Sequence, residues 1–200
     1  MNKSGAADKV VPVFLWQVTM KLFIASDIHG SFKYCSLVFQ RYEEEKCSRM
    51  ILLGDLLYHG PRNDLPEEYN PKKCIELYNQ HAGEILCVRG NCDGEVDQMV
   101  LKFPVMADYA ALALGEKLVY LTHGHLFTEE APLPCAKGSV MLCGHTHVPK
   151  IAEYQDYVYL NSGSASIPKE NSPHSYMIYE DGVFFWKDLV TGQIFQKYQL

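Results

Sequence analysis

The first half of the chain repeats one pattern, in which a short apolar run is followed by a polar loop and then by an amphipathic segment. Three such apolar runs predict strands, at residues 22–25, 50–53 and 85–88. Ser31 and the pair Asn70-Pro71 are start signals for helices after the first and second runs. This alternation of strand and helix predicts a right-handed, largely parallel sheet with helices on its face.

The second half changes to strands joined by tight turns. Turn dipeptides separate apolar or alternating runs at 115–116, 181–182 and 191–192. The most apolar runs, 118–121 and 140–143, predict central strands, whereas 154–160 and 176–179 alternate and predict half-buried strands. Because no linker rich in Gly, Pro and Ser divides residues 20–200, we expect a single domain there.

Composition places the chain among ordinary globular proteins. Hydrophobic residues make up 48% and charged residues 21%, which excludes disordered, collagen-like and coiled-coil classes. The formal net charge is −6 and the cationic residues form no cluster, so we expect no nucleic-acid partner. The seven cysteines are scattered without a C-x-x-C pair, a usage typical of reduced thiols in the cytoplasm.

The segment before Met20 carries the only other apolar run near the start of the chain. Residues 10–18 are about half the length that a membrane span needs, and their flanks lack the features of a signal peptide. We therefore expect no membrane association. Because Met20 directly precedes the first predicted strand, residues 1–19 are interpreted as an N-terminal extension of unknown role and 20–200 as the domain.

Residues of metal-binding types follow five predicted strands. They are Asp27 and His29, Asp55, Asn91, His123, and His145 with His147. Because the carboxyl ends of strands in open α/β sheets converge on one crevice, we expect these side chains to meet there. Glycines precede three of the ligands, at positions 54, 90 and 144, and would let the backbone turn sharply and approach closely.

The number of donors is itself informative. Seven oxygen and imidazole donors suit two ions with four ligands each if one carboxylate, most naturally Asp55, is shared. A pair of divalent ions leaves this site locally positive within an acidic protein and would attract a phosphate ester. Two adjacent ions also lower the pKa of a shared water and stabilise a departing oxygen.

The motifs resemble those of the calcineurin-like metallophosphoesterase superfamily, and in particular its bacterial YfcE-type phosphodiesterases. The matching motifs are S-D-I-H-G at 26–30, G-D at 54–55, R-G-N-C-D at 89–93, T-H-G-H at 122–125 and G-H-T-H at 144–147. Stretches at 58–63, 91–99 and 162–169 extend the resemblance over essentially residues 20–200. It implies an α/β fold in which a two-sheet β sandwich is flanked by helices, a four-layer αββα arrangement in one domain.

The resemblance also implies the metals and their ligands. One ion would be held by Asp27, His29, Asp55 and His147. The other would be held by Asp55, Asn91, His123 and His145. The expected cofactor is a pair of divalent ions per subunit, with Mn²⁺ the usual metal and Ni²⁺, Co²⁺, Zn²⁺ or Fe as substitutes.

One position departs from many members of the superfamily. Where they carry a histidine that protonates the leaving group, this chain has Cys92, as YfcE-type proteins do. A thiol is a poorer proton donor than an imidazolium. We therefore expect either a preference for good leaving groups or acid catalysis from His125 or His59. Cys92 itself is interpreted as a small residue in the wall of the site.

The sequence thus predicts a metal-dependent phosphoric diester hydrolase, in which hydroxide bridging the two ions attacks phosphorus. Asp55, Asn91, His125 and His59 are the predicted catalytic residues. Cys92, Arg62 and Arg89 are candidates for binding substrate, although either arginine could equally be exposed or cap backbone carbonyls. The expected partner is a small-molecule phosphodiester, and a homo-oligomer is a further expectation from the family.

Two alternatives remain open at this point. A phosphomonoesterase or nucleotide hydrolase would share the same metal site and differ only around the leaving group. A non-catalytic scaffold is the other, because retromer-subunit relatives of this fold act mainly through binding surfaces. The presence of all seven donors argues against the scaffold.

Overall fold

The computed structural model describes residues 20–200, so the predicted extension at 1–19 lies outside the described residues. Two mixed sheets dominate this part of the chain. The helices and strands in chain order are β1 (Leu22–Ala25), α1 (Phe32–Glu45), β2 (Arg49–Leu52), α2 (Pro71–Gln80), β3 (Ile85–Cys87), α3 (Glu95–Val100), β4 (Tyr109–Leu114), β5 (Lys117–Thr122), β6 (Ser139–Cys143), β7 (Pro149–Glu153), β8 (Tyr157–Ser162), β9 (Ser175–Glu180), β10 (Val183–Asp188) and β11 (Ile194–Gln199).

The first sheet contains the three strands predicted from the repeated pattern. Its six strands lie in the order β11-β10-β9-β1-β2-β3. β1, β2 and β3 are parallel, with Leu22 opposite Arg49 and Met50 opposite Ile85. β9 joins β1 antiparallel and continues through hairpins to β10 and β11. The parallel order expected for the first half is therefore confirmed.

The second sheet has five strands in the order β4-β5-β6-β8-β7. β5, β6 and β8 are parallel, while β4 and β7 pair antiparallel at the two edges. The predicted turns at 115–116, 181–182 and 191–192 all lie between paired strands. β6 is buried along its whole length, which confirms the central position expected from its apolar sequence.

Helices α1 and α2 begin where the sequence predicts. The Ser31 hydroxyl accepts a hydrogen bond from the backbone N–H of Tyr34, and the Asn70 side chain accepts one from Lys73. These bonds satisfy backbone donors that a helix leaves free in its first turn. The buried stripe of α1, including Cys35, packs against the outer face of the first sheet. Among residues 20–200, no helix is long and apolar enough to cross a membrane.

The two sheets pack face to face, as expected for the sandwich. Side chains from both inner faces form one core, including Ile24 and Trp186 from the first sheet and Leu121 and Leu142 from the second. The outer face of the second sheet is covered by the segment 124–138, which contains no helix. Because both faces of this sheet are covered, its interior strands are excluded from water.

Burial of β8 and β9 differs from the half-buried character predicted for them. Five of the six residues of β8 are buried, four of them in succession at 159–162, and β9 is buried from Ser175 to Tyr179. Each strand has covered faces on both sides: Met177 points into the core between the sheets, whereas Ile178 lies in the core beneath the helices. The predicted alternation treated tyrosines as partly polar residues at the surface. A tyrosine can nevertheless be buried when its hydroxyl has a hydrogen-bond partner, as that of Tyr176 does by donating to Glu45 at 3.0 Å.

Candidate metal centre

The predicted ligands come together where the two sheets present the carboxyl ends of their parallel strands. Asp27 and Asp55 follow β1 and β2 of the first sheet, and His123 follows β5 of the second. Backbone hydrogen bonds join neighbouring loops directly: the Asp27 N–H donates to the Gly54 carbonyl at 3.1 Å. The Gly144 N–H likewise donates to the His123 carbonyl at 2.9 Å. Between the sheets, the His145 N–H donates to the Asp27 Oδ2 atom at 2.9 Å, so the loops form one continuous rim around the crevice.

Five of the seven predicted ligands have a left-handed backbone. Their φ angles are 56° at Asp27, 51° at His29, 56° at Asp55, 69° at His145 and 64° at His147. Such a conformation is uncommon for residues other than glycine and costs roughly 1–2 kcal/mol each. Strain that is concentrated on one set of residues indicates that the surrounding structure holds these side chains in place for a function.

Two glycines are required by the close approach of the loops. A Cβ atom at Gly90 would lie 2.0 Å from the Asp55 Oδ1 atom. A Cβ at Gly144 would lie 2.0 Å from the Ser26 Oγ atom and 2.6 Å from the Asp27 Oδ2 atom. The close approach predicted for these positions is confirmed, because any side chain there would collide with an acidic ligand.

Asp27, His29 and His147, here called the inner half-site, are almost completely buried. The Asp27 Oδ1 atom lies 3.2 Å from the His147 Nε2 atom and 3.6 Å from the His29 Nε2 atom. The two imidazole Nε2 atoms are 3.3 Å apart. Three donor atoms within such distances of one another could hold a single metal ion.

Asn91, His123 and His145, here called the outer half-site, lie on the other side of Asp55. The Asp55 Oδ2 atom is 3.4 Å from the His123 Nε2 atom and 3.7 Å from the His29 Nε2 atom. The Asn91 Oδ1 atom is 3.1 Å from the same His123 nitrogen, and the His145 ring centre is 5.0 Å from that of His123. Asp55 thus faces both half-sites, and the Asp27 Oδ1 atom also lies 3.9 Å from the His123 Nε2 atom.

Three of the imidazoles are oriented by backbone carbonyls. The Nδ1 atoms of His29, His123 and His147 lie 2.9, 2.6 and 2.6 Å from the carbonyl oxygens of residues 58, 53 and 167. A carbonyl can only accept, so each Nδ1 carries the proton and donates it. In its neutral form each ring therefore presents the Nε2 lone pair toward the crevice, the arrangement that fixes the tautomer of a metal-binding histidine.

Charge interactions within the cluster shift its pKa values strongly. Burial alone would raise the pKa of Asp27, but nearby His123, His147 and His29 outweigh it and hold that pKa well below its ordinary value. Burial opposes protonation of His123, yet the carboxylates of Asp27 and Asp55 raise its pKa to about 9. Without a bound metal, His123 thus supplies the positive charge that the two carboxylates require.

His145 responds in the opposite direction. Burial and then the neighbouring charge of His123 lower its pKa to about 4, so its imidazole is neutral and ready to bind a cation at ordinary pH. Burial would raise the pKa of Asp55, but the hydrogen bond and charge of His123 lower it, and this carboxylate is ionised as well.

A direct indication that a cation belongs here is the Asp27 Oδ1 atom, which is buried and has no hydrogen-bond partner. An unpartnered carboxylate oxygen in a buried site is costly unless a cation neutralises it. Two of the other three carboxylate oxygens accept backbone N–H groups: the Asp27 Oδ2 atom accepts the His145 N–H at 2.9 Å, and the Asp55 Oδ1 atom accepts the Cys92 N–H at 2.8 Å. The remaining oxygens and the imidazole Nε2 atoms form a donor set that fits divalent metals.

Two supporting features were not predicted in these roles. Asp93 accepts the backbone N–H groups of Asp55, Leu56 and Gly90 at 2.7, 2.9 and 2.7 Å. It therefore joins the loop that follows β2 to the loop that follows β3. Its position directly after R-G-N-C is compatible with orienting a neighbour or stabilising the turn, and the structure shows that it binds backbone N–H groups of two loops. Burial and the nearby Asp55 raise the pKa of Asp93 to about 6.

Two serines hold the loop that follows β1 by hydrogen bonds to its backbone. The hydroxyls of Ser164 and Ser166 both donate to the Asp27 carbonyl, at 2.8 and 3.0 Å. These bonds stabilise the left-handed conformation of Asp27. Their sequence signal was only the S-G-S-A-S run at 162–166, which does not show to which loop the hydroxyls bind.

The two candidate acids have different neighbours: the ring of His125 contacts that of a predicted metal ligand, His123, and the ring of His59 contacts tyrosines. The His125 ring centre is 5.4 Å from that of His123, and burial, His123 and Arg89 lower its pKa. The His59 ring instead packs against two tyrosines, Tyr58 and Tyr69. In both candidates the Nδ1 atom is buried without a hydrogen-bond partner among the described residues.

Cys92 and the two arginines differ in their access to the crevice. Burial and then the negative charge of Asp55 raise the pKa of the Cys92 thiol, so it holds its proton. Arg62 lines the cavity of about 360 Å³ above the ligands, together with Asp55 and Asn91. Arg89 instead forms an ion pair with Asp108 at 2.7 Å and does not line that cavity.

The fold and this cluster of donors are those of a known class of protein, and the sequence matches that class. Residues 20–181 match the calcineurin-like phosphoesterase superfamily domain, and the chain belongs to that superfamily. Membership implies divalent metal ions, for which the clustered Asp and His side chains are candidate ligands.

Within the superfamily, the chain is similar to particular proteins. It is 43% identical over 164 residues to phosphodiesterase YfcE of Escherichia coli strain K12, covering 82% of this chain and 89% of that protein. The structure of E. coli YfcE, described as a phosphoesterase, superposes with a TM-score of 0.87 at 40% identity, covering 90% of this chain and 99% of the other. A probable metallophosphoesterase of Bacillus subtilis, YsnB, is 26% identical over 166 residues, covering 80% of this chain and 83% of that protein.

A more distant structure shares the fold alone. Vps29 of Entamoeba histolytica, in complex with Zn²⁺, superposes with a TM-score of 0.61 at 19% identity, covering 90% of this chain and 99% of the other. The predicted two-sheet metallophosphoesterase fold is therefore confirmed by near and distant structures alike.

Proposed function

We propose that the protein is a dinuclear metal-dependent phosphodiesterase. The observation that carries this proposal is the convergence of all seven donors on one crevice, with Asp55 facing both half-sites and Asp27 presenting a buried, unpartnered oxygen. Superfamily membership and the similarity to E. coli phosphodiesterase YfcE support the same activity.

In this proposal one ion is held by the inner half-site with Asp55, and the other by the outer half-site with Asp55. When bound, a pair of divalent ions lowers the pKa of a shared water, attracts the phosphate and stabilises the charge on the departing oxygen. Asp55 would set the spacing of the two metal positions, because its Oδ2 atom faces His29 of the inner half-site on one side and His123 of the outer half-site on the other. Asn91 supplies a neutral oxygen, which keeps the site positive enough to attract an anion.

The protonation of the leaving group falls to a weak acid in this site. The Cys92 thiol has a raised pKa, and the lowered pKa of His125 leaves its imidazole largely neutral near pH 7. We therefore propose that the enzyme favours esters whose leaving groups depart without protonation, with His125 or His59 assisting poorer ones. A leaving-group series of aryl and alkyl diesters tests this: we expect a steep dependence that steepens in His125→Ala or His59→Ala. A flat dependence unchanged in both variants would refute it.

The metal, the substrate, the assembly and the cellular location are proposed from the sequence. We propose Mn²⁺ as the working metal, a small-molecule phosphodiester as substrate, a homo-oligomeric assembly and a cytoplasmic location, the last because the seven cysteines are scattered without a metal-binding or disulfide pattern. Assays of metal-stripped protein reloaded separately with Mn²⁺, Ni²⁺, Co²⁺ and Zn²⁺ test the metal. The highest turnover should be found with Mn²⁺.

The central test is hydrolysis of bis(p-nitrophenyl) phosphate with Mn²⁺. We expect activity that a chelator abolishes and that Asp55→Ala lowers by more than about 10³-fold, because several kcal/mol of charge stabilisation depend on the metals. Asp156→Ala, which removes an exposed carboxylate paired with Lys137, is the matched control and should retain activity. Faster hydrolysis of p-nitrophenyl phosphate would indicate a phosphomonoesterase instead, and metal-loaded protein without either activity would indicate a scaffold.

A further inference from the structure

The cavity above the metal ligands is lined by a cationic side chain, Lys169, that has no assigned role. Besides the ligands Asp55, Asn91, His145 and His147, it is lined by Arg62, Asn63, Thr146 and Lys169. Its lining outside the ligands is thus entirely polar, with two positive charges and no negative one. Because the protein as a whole carries a net charge of −6, this local excess of positive charge is not a general property of its surface.

Lys169 is fixed to the inner half-site through its backbone. Its N–H donates to the His147 carbonyl at 3.2 Å, and its own carbonyl accepts the Ser172 hydroxyl at 2.6 Å. The next two residues, Glu170 and Asn171, have φ angles of 55° and 58°, so a tight left-handed turn follows Lys169. The start of the lysine side chain is therefore held beside a metal ligand, although its charged end is exposed.

Lys169 also lacks a carboxylate partner among residues 20–200, within the 4.0 Å that defines an ion pair. Some other lysines have one, such as Lys33 with Glu67 at 2.7 Å and Lys150 with Glu129 at 2.6 Å. Of the described lysines without a partner, Lys169 is the one that lines the metal cavity. A lysine that is anchored at a binding cavity and left without a counterion is available to an anionic ligand.

The two cations occupy different places around the crevice. Arg62 also lines an adjoining cavity of about 320 Å³, which includes Tyr58, Pro61 and Cys92, and so lies at the junction of the two cavities. Lys169 lines only the metal cavity, next to His147. The two arms of a diester centred on the metals would therefore meet unlike surroundings, one less polar and the other cationic.

We infer that Lys169 is a specificity-determining residue that selects phosphodiesters in which one arm carries a second anionic group, such as a carboxylate or a phosphate. The inference rests on the proposed phosphodiesterase function and names the class of substrate for the same site. Arg62, at the junction, is positioned to bind the reacting phosphate, which leaves Lys169 for the more distant charge.

The test compares two p-nitrophenyl phosphodiesters that share the leaving group and differ in one charge: the second arm ends in a carboxylate in one and in a carboxamide in the other. We expect wild-type protein with Mn²⁺ to prefer the carboxylate ester, mainly through a lower KM, and the preference to shrink as salt is added. Lys169→Gln should lower kcat/KM for the carboxylate ester about two- to fivefold, the effect of an exposed ion pair, and leave the amide ester unchanged. Lys169→Glu should reverse the preference.

Lys197→Gln is the matched control, because Lys197 is exposed on the edge strand β11, three strands from β1. It removes the same charge and should not alter the preference. The inference is overturned if wild-type protein hydrolyses both esters equally, or if its preference survives in Lys169→Gln. A preference for a phosphate-ended arm over the carboxylate would identify phosphate as the second anion.

Failure of the proposed function would look different, since neither ester would then be hydrolysed. In that case calorimetric binding of two p-nitrobenzylphosphonate monoesters with the same arms, which lack the scissile bond, still decides the role of Lys169. Tighter binding of the carboxylate compound that depends on Lys169 supports the selection of anionic ligands, and equal binding refutes it.

Discussion

The inner and outer half-sites use similar donors in different surroundings. Asp27, His29 and His147 are 0%, 0% and 3% exposed, whereas Asn91 is exposed and His145 is partly exposed. The inner ligands are thus almost completely covered by protein, with only His147 reaching the cavity lining. In the outer half-site His123 is equally buried, whereas Asn91 and His145 face the cavity through which a substrate would enter. Burial preorganises a site and slows exchange, so we expect the inner ion to be bound more tightly and the outer ion to exchange more readily.

Charge sharpens this difference. In the metal-free protein the outer half-site holds both a histidine with a raised pKa, His123, and one with a lowered pKa, His145. A proton on His123 therefore supplies part of the positive charge that the metals would bring. Binding of a metal must displace that proton, and this coupling makes metal affinity depend on pH.

The largest expected effect separates the two half-sites by removing one ligand from each. In His147→Ala we expect loss of the inner ion and a fall in its affinity of more than about 10²-fold, above what an outer-shell partner contributes. In His145→Ala we expect one ion to remain. Metal content after equilibrium dialysis measures both, and His81→Gln, on the helix side of the first sheet, is the control. If the ion retained in His145→Ala were bound no more tightly than the ion retained in His147→Ala, the difference between the half-sites would be contradicted.

A second prediction concerns Asp93, which binds the loops that follow β2 and β3 and not the loop that follows β1. Asp93→Asn places an amide where three backbone N–H groups require acceptors, and leaves at least one of them unsatisfied. We expect metal affinity at the outer half-site to fall about 10- to 100-fold, with a smaller effect on the inner one. Calorimetric titration with Mn²⁺ resolves the two steps. Asp181→Asn, at a turn residue with φ 49° where Asn is equally suited, should change neither.

The third prediction uses pH. The pKa of His123 is raised from 6.5 to about 9 on folding, so this group stabilises the metal-free protein fully below pH 6.5, and its contribution is lost as the pH rises through 9. Over the same window the affinity for Mn²⁺ should rise by about tenfold per pH unit, because one proton is displaced. Urea unfolding and metal titration between pH 6 and 9 measure both trends. Their persistence in His123→Asn would show that another group is responsible.

The smallest expected effect lies in the support of the inner half-site. Ser166→Ala removes one of two hydroxyl donors to the Asp27 carbonyl, while Ser164 keeps the other. We expect the free energy of unfolding to fall by about 1 kcal/mol, the net value of one hydrogen bond, and the inner ion to be retained. Ser48→Ala, which removes an exposed hydroxyl bond to Lys21, is the comparison and should cost less in thermal unfolding. An unchanged stability in Ser166→Ala would show that the Ser164 bond alone is sufficient.

The strands, the helix starts and the convergence of ligands could be predicted because each depends on a local pattern. Apolar runs mark strands, Ser31 and Asn70 mark helix starts, and the glycines at 90 and 144 mark close approaches of the backbone. The rule that strand ends meet at one edge then brings distant residues together. The burial of β9 was missed because the sequence does not show that both faces of a strand are covered.

The supporting contacts could not be predicted for a related reason. The bonds from Ser164 to Asp27 and from Asp93 to Leu56 join segments that are 137 and 37 residues apart. No local pattern encodes which backbone group a side chain will reach after folding. The pairing of Arg89 with Asp108, which removes one candidate from the cavity, likewise depends on the tertiary arrangement.

The most direct test of the central claim is the number and position of metal ions in protein saturated with Mn²⁺. Crystals of the loaded protein, measured with X-rays at the manganese absorption edge, would show where each ion lies. The account predicts two ions per chain, one contacting His147, the other contacting His123, with Asp55 between them. A single ion at saturation, or ions bound away from Asp55, would contradict it.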